Sequence, residues 1–313
     1  MKAIFLDALT MGENFVFKNF PSNIEIKYYN TTSHSELLSH CEDAEILITN
    51  KVKILKDDFP KLKNLKLICI SATGMDHIDL VAAKEYGVIV KNVSGYSTAS
   101  VAQHTLSIAL NYLHPVESFY KYTESGQWTD SSIFTHILPF DELKSKKWGI
   151  IGLGEIGKKV AQIAMAFDSE VYYYSTSGKN INHDVPQYSL SQLLSECDII
   201  SIHCPLNEYT ENLLTLKDLK LLKENALVIN CGRGGIINEN DLADFLDNNC
   251  SQTFVLDVLE TEPMSGNSPL EKHLKNEKLH LTPHVAWSSK QARDILSQGI
   301  INNIKSFLSE KLL

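Results

Sequence analysis

Short apolar runs alternate with amphipathic stretches along most of this chain. In the first third, the runs that predict strands are Lys2–Leu6, Ile24–Tyr29, Glu45–Thr49, Leu65–Ile70 and Val88–Lys91. Between them, Ser33–Cys41 and Leu80–Tyr86 have the spacing of short helices. Strands that alternate with helices in this way predict an α/β fold, with a parallel sheet covered by helices on both faces.

A second series of the same kind begins after residue 147. Its predicted strands are Trp148–Ile151, Val171–Tyr174, Ile199–His203, Leu227–Asn230, Phe254–Asp257 and Leu279–Leu281. Its predicted helices are Glu155–Phe167, Ser189–Ser195, Thr215–Leu222 and Glu239–Asp247. Six strands joined by such crossovers fit a second doubly wound parallel sheet.

Two long helical patterns, Thr98–Leu113 and Ser288–Leu308, flank the second series. The simplest arrangement is a domain of residues 98–285 inserted into a domain built from residues 1–97 and 286–313. The connection from His114 to Lys147 has no regular pattern. A connection of that length is usually functional or packed on a partner.

The composition is that of an ordinary globular chain, with 313 residues, 43% apolar and 21% charged. The net charge is −9 with lysine and arginine scattered, which argues against a nucleic-acid partner. The apolar patch Ala3–Leu6 is too short for a signal peptide, and no run approaches the roughly 20 apolar residues of a membrane span. We therefore expect a cytoplasmic protein that does not engage a membrane.

Six cysteines are spread along the chain without a Cys-x-x-Cys pair or a histidine cluster at ligand spacing. This pattern is typical of reduced thiols in or near a core, and it predicts no metal site.

The segment Gly152-Leu153-Gly154-Glu155-Ile156-Gly157 matches a dinucleotide-binding loop between a predicted strand and a predicted helix. Gly152 would permit the tight turn, Gly154 would let the backbone approach a pyrophosphate, and Gly157 would allow close packing of helix and strand. The N-terminus of the helix would supply N–H groups and a positive dipole end to the anion.

The next strand ends in Ser175-Thr176-Ser177-Gly178-Lys179, where an NAD site usually has an acidic residue. Hydroxyl groups and a nearby lysine would tolerate the 2′-phosphate of NADP. An NAD site that binds the ribose through Ser175 is the alternative, and both cofactors stay open.

Three later segments each bring one functional side chain to the end of an apolar run. Arg233 lies in Asn230–Gly235, Glu262 in Asp257–Pro263 and His284 in Thr282–Trp287. A cation, an acid and an imidazole could together bind a carboxylate and move a proton.

These motifs together resemble those of the D-isomer-specific 2-hydroxy-acid dehydrogenases. The resemblance covers nearly the whole chain and includes, besides the segments above, Ala72–Asp79, Asn92–Thr98, Ser100–His104 and His203–Leu206. The Gly-Tyr-Ser-Thr and Val-Ala-Gln-His segments are most similar to the glycerate dehydrogenase, or hydroxypyruvate reductase, branch. The resemblance implies a Rossmann dinucleotide-binding domain inserted into a flavodoxin-like substrate domain, and a homodimer to which the region Thr98–Lys147 contributes.

The resemblance also implies roles for individual residues. Arg233 would bind the substrate carboxylate or its 2-oxo oxygen, His284 would exchange a proton with that oxygen, and Glu262 would bond the other ring nitrogen of the histidine. The backbone of Thr73 and Gly74 would bind the carboxylate, and Asp257 would receive the nicotinamide amide. The residues expected to contact the cofactor are Val101, Gly152, Gly154, Glu155, Ile156, Gly157, Ser175, Cys204, Pro205, Cys231, Gly232, Arg233, Asp257, His284 and Ala286.

Two departures from the family pattern stand out. Glu155 occupies a position where arginine is frequent, which removes a cation from the phosphate site unless the side chain turns to solvent. Asp168 follows the next helix where glycine is common, and aspartate can adopt the left-handed conformation that this position needs.

The expected activity is reduction of hydroxypyruvate or glyoxylate with NADH or NADPH. The alternative is a dinucleotide-sensing, corepressor-like binding protein without turnover. A formate-type dehydrogenase is disfavoured because Glu262 stands where that group has glutamine.

Overall fold

The computed structural model describes residues 1–179 and 184–310. The strands are β1 (Lys2–Phe5), β2 (Glu25–Tyr28), β3 (Ile46–Thr49), β4 (Leu67–Ile70), β5 (Ile89–Lys91), β6 (Lys147–Ile151), β7 (Glu170–Tyr174), β8 (Ile199–Ile202), β9 (Leu227–Asn230), β10 (Thr253–Leu256) and β11 (Leu279–Leu281). The helices are α1 (Leu37–His40), α2 (Leu80–Glu85), α3 (Thr98–Leu113), α4 (Val116–Glu124), α5 (Glu155–Ala166), α6 (Leu190–Glu196), α7 (Leu216–Leu219), α8 (Glu239–Asp247) and α9 (Lys290–Glu310).

The chain divides into two compact units, Met1–Ser97 with Ser288–Leu313, and Thr98–Trp287. The first unit contains a parallel sheet of order β2-β1-β3-β4-β5. Strands β3 and β4 are buried along their whole length, which explains their unbroken apolar sequences. This strand order is that of flavodoxin-like folds, and it confirms the predicted fold class for this part of the chain.

The second unit contains a parallel sheet of order β7-β6-β8-β9-β10-β11. A single bridge between Tyr173 and Gln187 adds a remnant of a further strand beside β7. If β6 is counted as the first strand and the segment at Gln187 as the third, the order is the 3-2-1-4-5-6 arrangement of a Rossmann fold. Strand β11 is one more strand at the far edge. The predicted dinucleotide-binding fold of this unit is therefore confirmed.

The boundary after the second sheet lies two residues later than predicted, at 287/288 rather than 285/286. Ala286 is 3% exposed, and both Ala286 and Trp287 pack in the apolar core around α3 and α5. These side chains keep the end of the segment in the second unit.

The connection between His114 and Lys147 is also more regular than predicted, because it contains α4. No side chain of α4 is buried. Val116, Phe119 and Tyr120 have helical spacing, but the helix has only nine residues, fewer than the roughly 11 over which apolar periodicity is usually recognised.

Asp168, just beyond α5, has a φ of 60°, as predicted for its left-handed position. Within residues 1–179 and 184–310, no helix has both the length and the apolar character needed to cross a membrane.

Candidate active site

The predicted site residues of the second unit follow the carboxyl ends of its parallel strands. The loop at Gly152 follows β6, Arg233 follows β9, Asp257 follows β10 and His284 follows β11. The carboxyl ends of parallel strands meet at one edge of a sheet, which is where doubly wound folds bind their ligands.

His284 and Glu262 form a direct pair, with 2.6 Å between Nδ1 and the carboxylate Oε2. The other carboxylate oxygen of Glu262 accepts the Leu259 N–H at 3.0 Å. An ionised carboxylate only accepts hydrogen bonds, so this pairing places a proton on Nδ1 and leaves Nε2 for a reacting group. Both side chains are about a quarter exposed, 24% for His284 and 26% for Glu262, so they remain accessible to a ligand.

The loop that carries His284 is held by Asp257, whose side chain is almost fully buried. Its carboxylate accepts the Val285 N–H at 2.8 Å, the Ala286 N–H at 3.0 Å and the Thr282 hydroxyl at 2.6 Å. His284 itself has a φ of 52°, a conformation that costs free energy for a residue with a side chain. Asp257 therefore stabilises a strained loop, and its carboxylate has room for about one further donor.

Arg233 is half-buried, and its Nη1 donates to the Gly232 carbonyl at 2.9 Å. The Asn230 side chain braces the same turn by donating to the Arg233 carbonyl and accepting the Gly232 N–H. At Gly234, a Cβ would overlap the carbonyl carbon of Leu259. The segment carrying Arg233 thus packs directly on the segment that leads to Glu262.

The glycine loop has the shape that a dinucleotide requires. Gly152 has a φ of 93°, and a Cβ there would lie 2.7 Å from the Cys204 nitrogen. A Cβ at Gly157 would overlap the Gly152 carbonyl oxygen, so close packing requires glycine at both positions. A Cβ at Gly154 would meet no protein atom within 4 Å, which leaves space beside the start of α5 for a phosphate group.

Glu155, which replaces the arginine frequent in the family, has a side chain that is 79% exposed. Its carboxylate lies 3.5 Å from the Lys158 ammonium, which offsets its charge. The loop therefore keeps an accessible helix N-terminus in spite of the acidic residue. At the end of β7, the Ser175 hydroxyl is buried and has no partner among the described residues. A ribose hydroxyl that reached it would give it a partner, which fits either cofactor.

The other residues expected to contact the cofactor lie near this edge in mostly buried positions. Val101, Cys204, Cys231 and Ala286 are buried, and Pro205 is exposed. Burial raises the pKa of the Cys204 thiol and of the Cys231 thiol to about 12, so neither sulfur is a nucleophile at neutral pH. Over residues 1–179 and 184–310, no group of His, Cys, Asp or Glu is arranged to hold a metal ion.

In the first unit, Thr73 and Gly74 lie in the loop that follows β4. The Thr73 hydroxyl donates to the Val93 carbonyl at 3.2 Å, and the Thr73 carbonyl accepts the Asn92 side chain at 2.6 Å. Within the described chain, the backbone N–H groups of Thr73 and Gly74 donate to no protein group. They remain available for an anion.

Three further histidines, His77, His104 and His203, lie in the motifs that carry the family resemblance, and each occupies a structural position. His104 lies 3.4 Å from the Thr282 hydroxyl and 3.8 Å from the Asp257 carboxylate, so it supports the anchor of the His284 loop. Burial lowers the pKa of His77 to about 4 and that of His203 to about 3, which keeps both rings neutral.

Sequence reasoning did not identify Glu239 as part of the site. Its carboxylate accepts the Glu260 N–H at 2.7 Å, two residues before Glu262. The sequence carries no signal for it, because an acidic residue in the first turn of a helix is ordinary. Its burial, which is rare for glutamate, is visible only in the structure.

Comparisons with known proteins agree with this geometry. The model of the D-isomer specific 2-hydroxyacid dehydrogenase NAD binding domain matches residues 106–286. A hydroxypyruvate reductase of Blautia hydrogenotrophica is 32% identical, over 98% of this chain and 97% of that protein. A glycerate dehydrogenase of Methylorubrum extorquens is 31% identical, over 99% of this chain and 97% of that protein.

Among solved structures, an acyclic imino acid reductase in complex with NADPH and D-Arg has a TM-score of 0.82 and 29% identity. The match covers 99% of this chain and 98% of that one.

Proposed function

The chain belongs to the D-isomer specific 2-hydroxyacid dehydrogenase family, and from this membership we propose that it reduces hydroxypyruvate or glyoxylate with a nicotinamide dinucleotide. The observation that carries the proposal is the 2.6 Å pair of His284 and Glu262. Relatives named as hydroxypyruvate reductase, glycerate dehydrogenase and glyoxylate reductase support this substrate class.

The residues would divide the work as follows. Arg233 binds the substrate carboxylate or its 2-oxo oxygen, since a planar guanidinium offers two parallel donors. His284 donates the proton on Nε2 to the carbonyl oxygen during reduction and takes it back in the reverse reaction. Glu262 fixes the orientation of the ring and stabilises the charged imidazole. The backbone N–H groups of Thr73 and Gly74 bind carboxylate oxygens.

The bound dinucleotide supplies the hydride. The start of α5 and the open space at Gly154 would hold the pyrophosphate, and Ser175 would bond the adenosine ribose. Asp257 would use its remaining acceptor capacity for the carboxamide of the nicotinamide, in addition to holding the His284 loop. The space beside Gly154 and the buried hydroxyl of Ser175 suit NADH and NADPH alike.

The experiment is an initial-rate comparison of NADH and NADPH with hydroxypyruvate, glyoxylate, pyruvate and a bulky branched 2-oxo acid. We expect turnover of the first two acids and, in His284→Ala, a loss of kcat of roughly 10³-fold with cofactor binding retained. His280→Ala is the matched control, because His280 is exposed on β11 and should leave kcat unchanged. Rapid turnover of only the bulky acid would refute the substrate assignment.

The corepressor-like alternative is not favoured, because binding alone would not require the paired His284 and Glu262. It would be supported if the wild-type protein bound the dinucleotide and reduced none of the acids.

A homodimer is part of the same proposal. Large apolar side chains are exposed in the region predicted to meet a partner, with Phe134 at 89%, Ile137 at 80% and Ile133 at 62%. Such a cluster on the surface is typical of an interface. Light scattering should give the mass of a dimer, and Phe134→Glu combined with Ile137→Glu should shift it toward a monomer.

We also infer a cytoplasmic location. All six cysteines are free, and five of them are buried, which suits a reducing compartment. Fractionation of the native cells should find the protein with cytoplasmic markers.

A further inference from the structure

Glu239 and Glu260 join two separate parts of the second unit through their backbones. The Glu239 carboxylate accepts the Glu260 N–H at 2.7 Å, and the Glu260 carboxylate lies 3.4 Å from the Glu239 N–H. The first of these is a short, charge-assisted hydrogen bond, which is among the stronger kinds in proteins.

Glu239 is itself held firmly. It is the first residue of α8, directly after Asn238, whose side chain caps the helix by accepting the Asp241 N–H at 2.9 Å. The Asn238 N–H donates to the Leu214 carbonyl, which fixes the entry to the helix. Glu239 is only 6% exposed, so its side chain has little freedom to choose another partner.

Burial raises the pKa of Glu239, and the neighbouring carboxylates of Glu260 and Glu262 raise it further, whereas the hydrogen bond from the Glu260 N–H lowers it. A second carboxylate close to Glu262 is an unfavourable arrangement unless it does something specific. Its carboxylate accepts the Glu260 N–H and a side-chain hydrogen bond from Ser268. The first of these contacts fixes the backbone two residues before Glu262.

The segment Leu259–Glu262 is thereby held on two sides. Gly234 packs against Leu259 and Glu260, and Glu239 binds the Glu260 N–H. The segment then presents Glu262 to His284 at 2.6 Å. A hydrogen bond of that length tolerates little displacement, because a shift of 1 Å would break it.

We propose that Glu239 is a positioning residue for the proton-transfer pair, which sets the place of Glu262 through the Glu260 backbone without touching substrate or cofactor. This inference rests on the proposed function of His284 and Glu262. It also assigns the two carboxylates different tasks, since Glu262 orients the imidazole and Glu239 orients Glu262.

The test compares Glu239→Ala, Glu239→Gln and Asp241→Ala. Glu239→Ala removes the acceptor, and we expect kcat to fall 10- to 100-fold with the dissociation constant of the dinucleotide within twofold of wild type. Glu239→Gln keeps an oxygen for the Glu260 N–H, so kcat should recover to within about fivefold. Asp241 is the matched control, because it lies in the same turn of α8 as Glu239. Its carboxylate accepts the Leu216 N–H and not an N–H of the segment Leu259–Glu262.

A second measurement does not depend on turnover. Protein labelled with ¹⁵N-histidine, with His284→Ala used for assignment, reports by NMR whether Nδ1 of His284 carries its proton. We expect Glu239→Ala to lose the fixed tautomer and Asp241→Ala to keep it.

If the wild-type protein turns over no 2-oxo acid while Glu239→Ala still loses the tautomer, the proposed function fails and the positioning role stands. If Glu239→Ala keeps both kcat and tautomer, or if Asp241→Ala loses them equally, the positioning role is wrong.

Discussion

Asp7 in the first unit and Asp257 in the second hold loops in the same way. Each lies just after a strand, and each carboxylate accepts backbone N–H groups from the loop after the neighbouring parallel strand. Asp7 accepts the Asn50 N–H at 2.9 Å and the Lys51 N–H at 2.7 Å, after β3. Asp257 accepts the backbone N–H groups of Val285 and Ala286, after β11.

The difference lies in what the held loop carries. The loop bound by Asp257 contains His284 in a strained conformation, whereas the loop bound by Asp7 contains no residue that we place in the proton transfer. Both carboxylates are 6% exposed or less. The same kind of buried anchor therefore holds an ordinary loop in one unit and the loop of the proposed proton donor in the other. An aspartate at the end of a strand should be considered first as a loop anchor.

Of the two anchors, Asp257 should show the larger loss of activity when it is changed to asparagine. The amide oxygen of asparagine can still accept the Thr282 hydroxyl and the Val285 N–H. Its NH₂ group would then face the Ala286 N–H, which leaves a buried donor unpaired. We expect kcat/KM to fall roughly 100-fold, equivalent to about 2.7 kcal/mol. Steady-state kinetics would measure this, with the exposed Asp244→Asn as control. An unchanged rate would mean that the anchor does not matter for His284.

Asp7→Asn should have a smaller and different effect. Burial is the largest cause that raises the pKa of Asp7, so a neutral amide relieves part of that cost while it loses one acceptor. We expect the free energy of unfolding to fall by about 1–2 kcal/mol and kcat to stay within threefold. Urea unfolding would measure the loss against the exposed Asp57→Asn. A loss of kcat as large as that of Asp257→Asn would remove the contrast between the two anchors.

The effect that is smallest at neutral pH, and grows only in acid, concerns the buried histidines, one in each unit. The folded-state pKa of His77 is about 4 and that of His203 is about 3, both below the ordinary value near 6.5. At a pH between the folded and the unfolded pKa, each ring is protonated in the unfolded chain but not in the folded protein. The free energy of unfolding therefore falls as pH drops below 6.5, by up to about 1.4 kcal/mol per pH unit for each ring.

Unfolding midpoints measured across pH should therefore decline less steeply in His77→Asn and in His203→Asn than in wild type. Between pH 4 and pH 3, only His203 should still contribute. Equal slopes in all three proteins would contradict the neutral state of these rings.

Apolar periodicity was sufficient to predict both sheets, because parallel strands buried on both faces leave continuous apolar runs such as Ile46–Thr49. The pairing of His284 with Glu262 was also predictable from motifs, since strand ends converge at one edge. Helix α4 was missed because its apolar spacing extends over only nine residues, which is too short for periodicity to be recognised. Asp7 was missed because its partners lie 43 and 44 residues away along the chain, and Glu239 because its partner lies 21 residues away. Such contacts depend on how strands and loops pack, which local pattern does not encode.

The three glycines of the loop after β6 are required for different reasons. At Gly152 and Gly157 an added methyl group would collide with the protein itself, so drift there is penalised whenever the chain folds. At Gly154 the same methyl group would touch nothing in the protein. The fold itself therefore does not require glycine at that position, and we expect Gly154 to be the first of the three to be lost in a descendant that kept the fold and abandoned the cofactor.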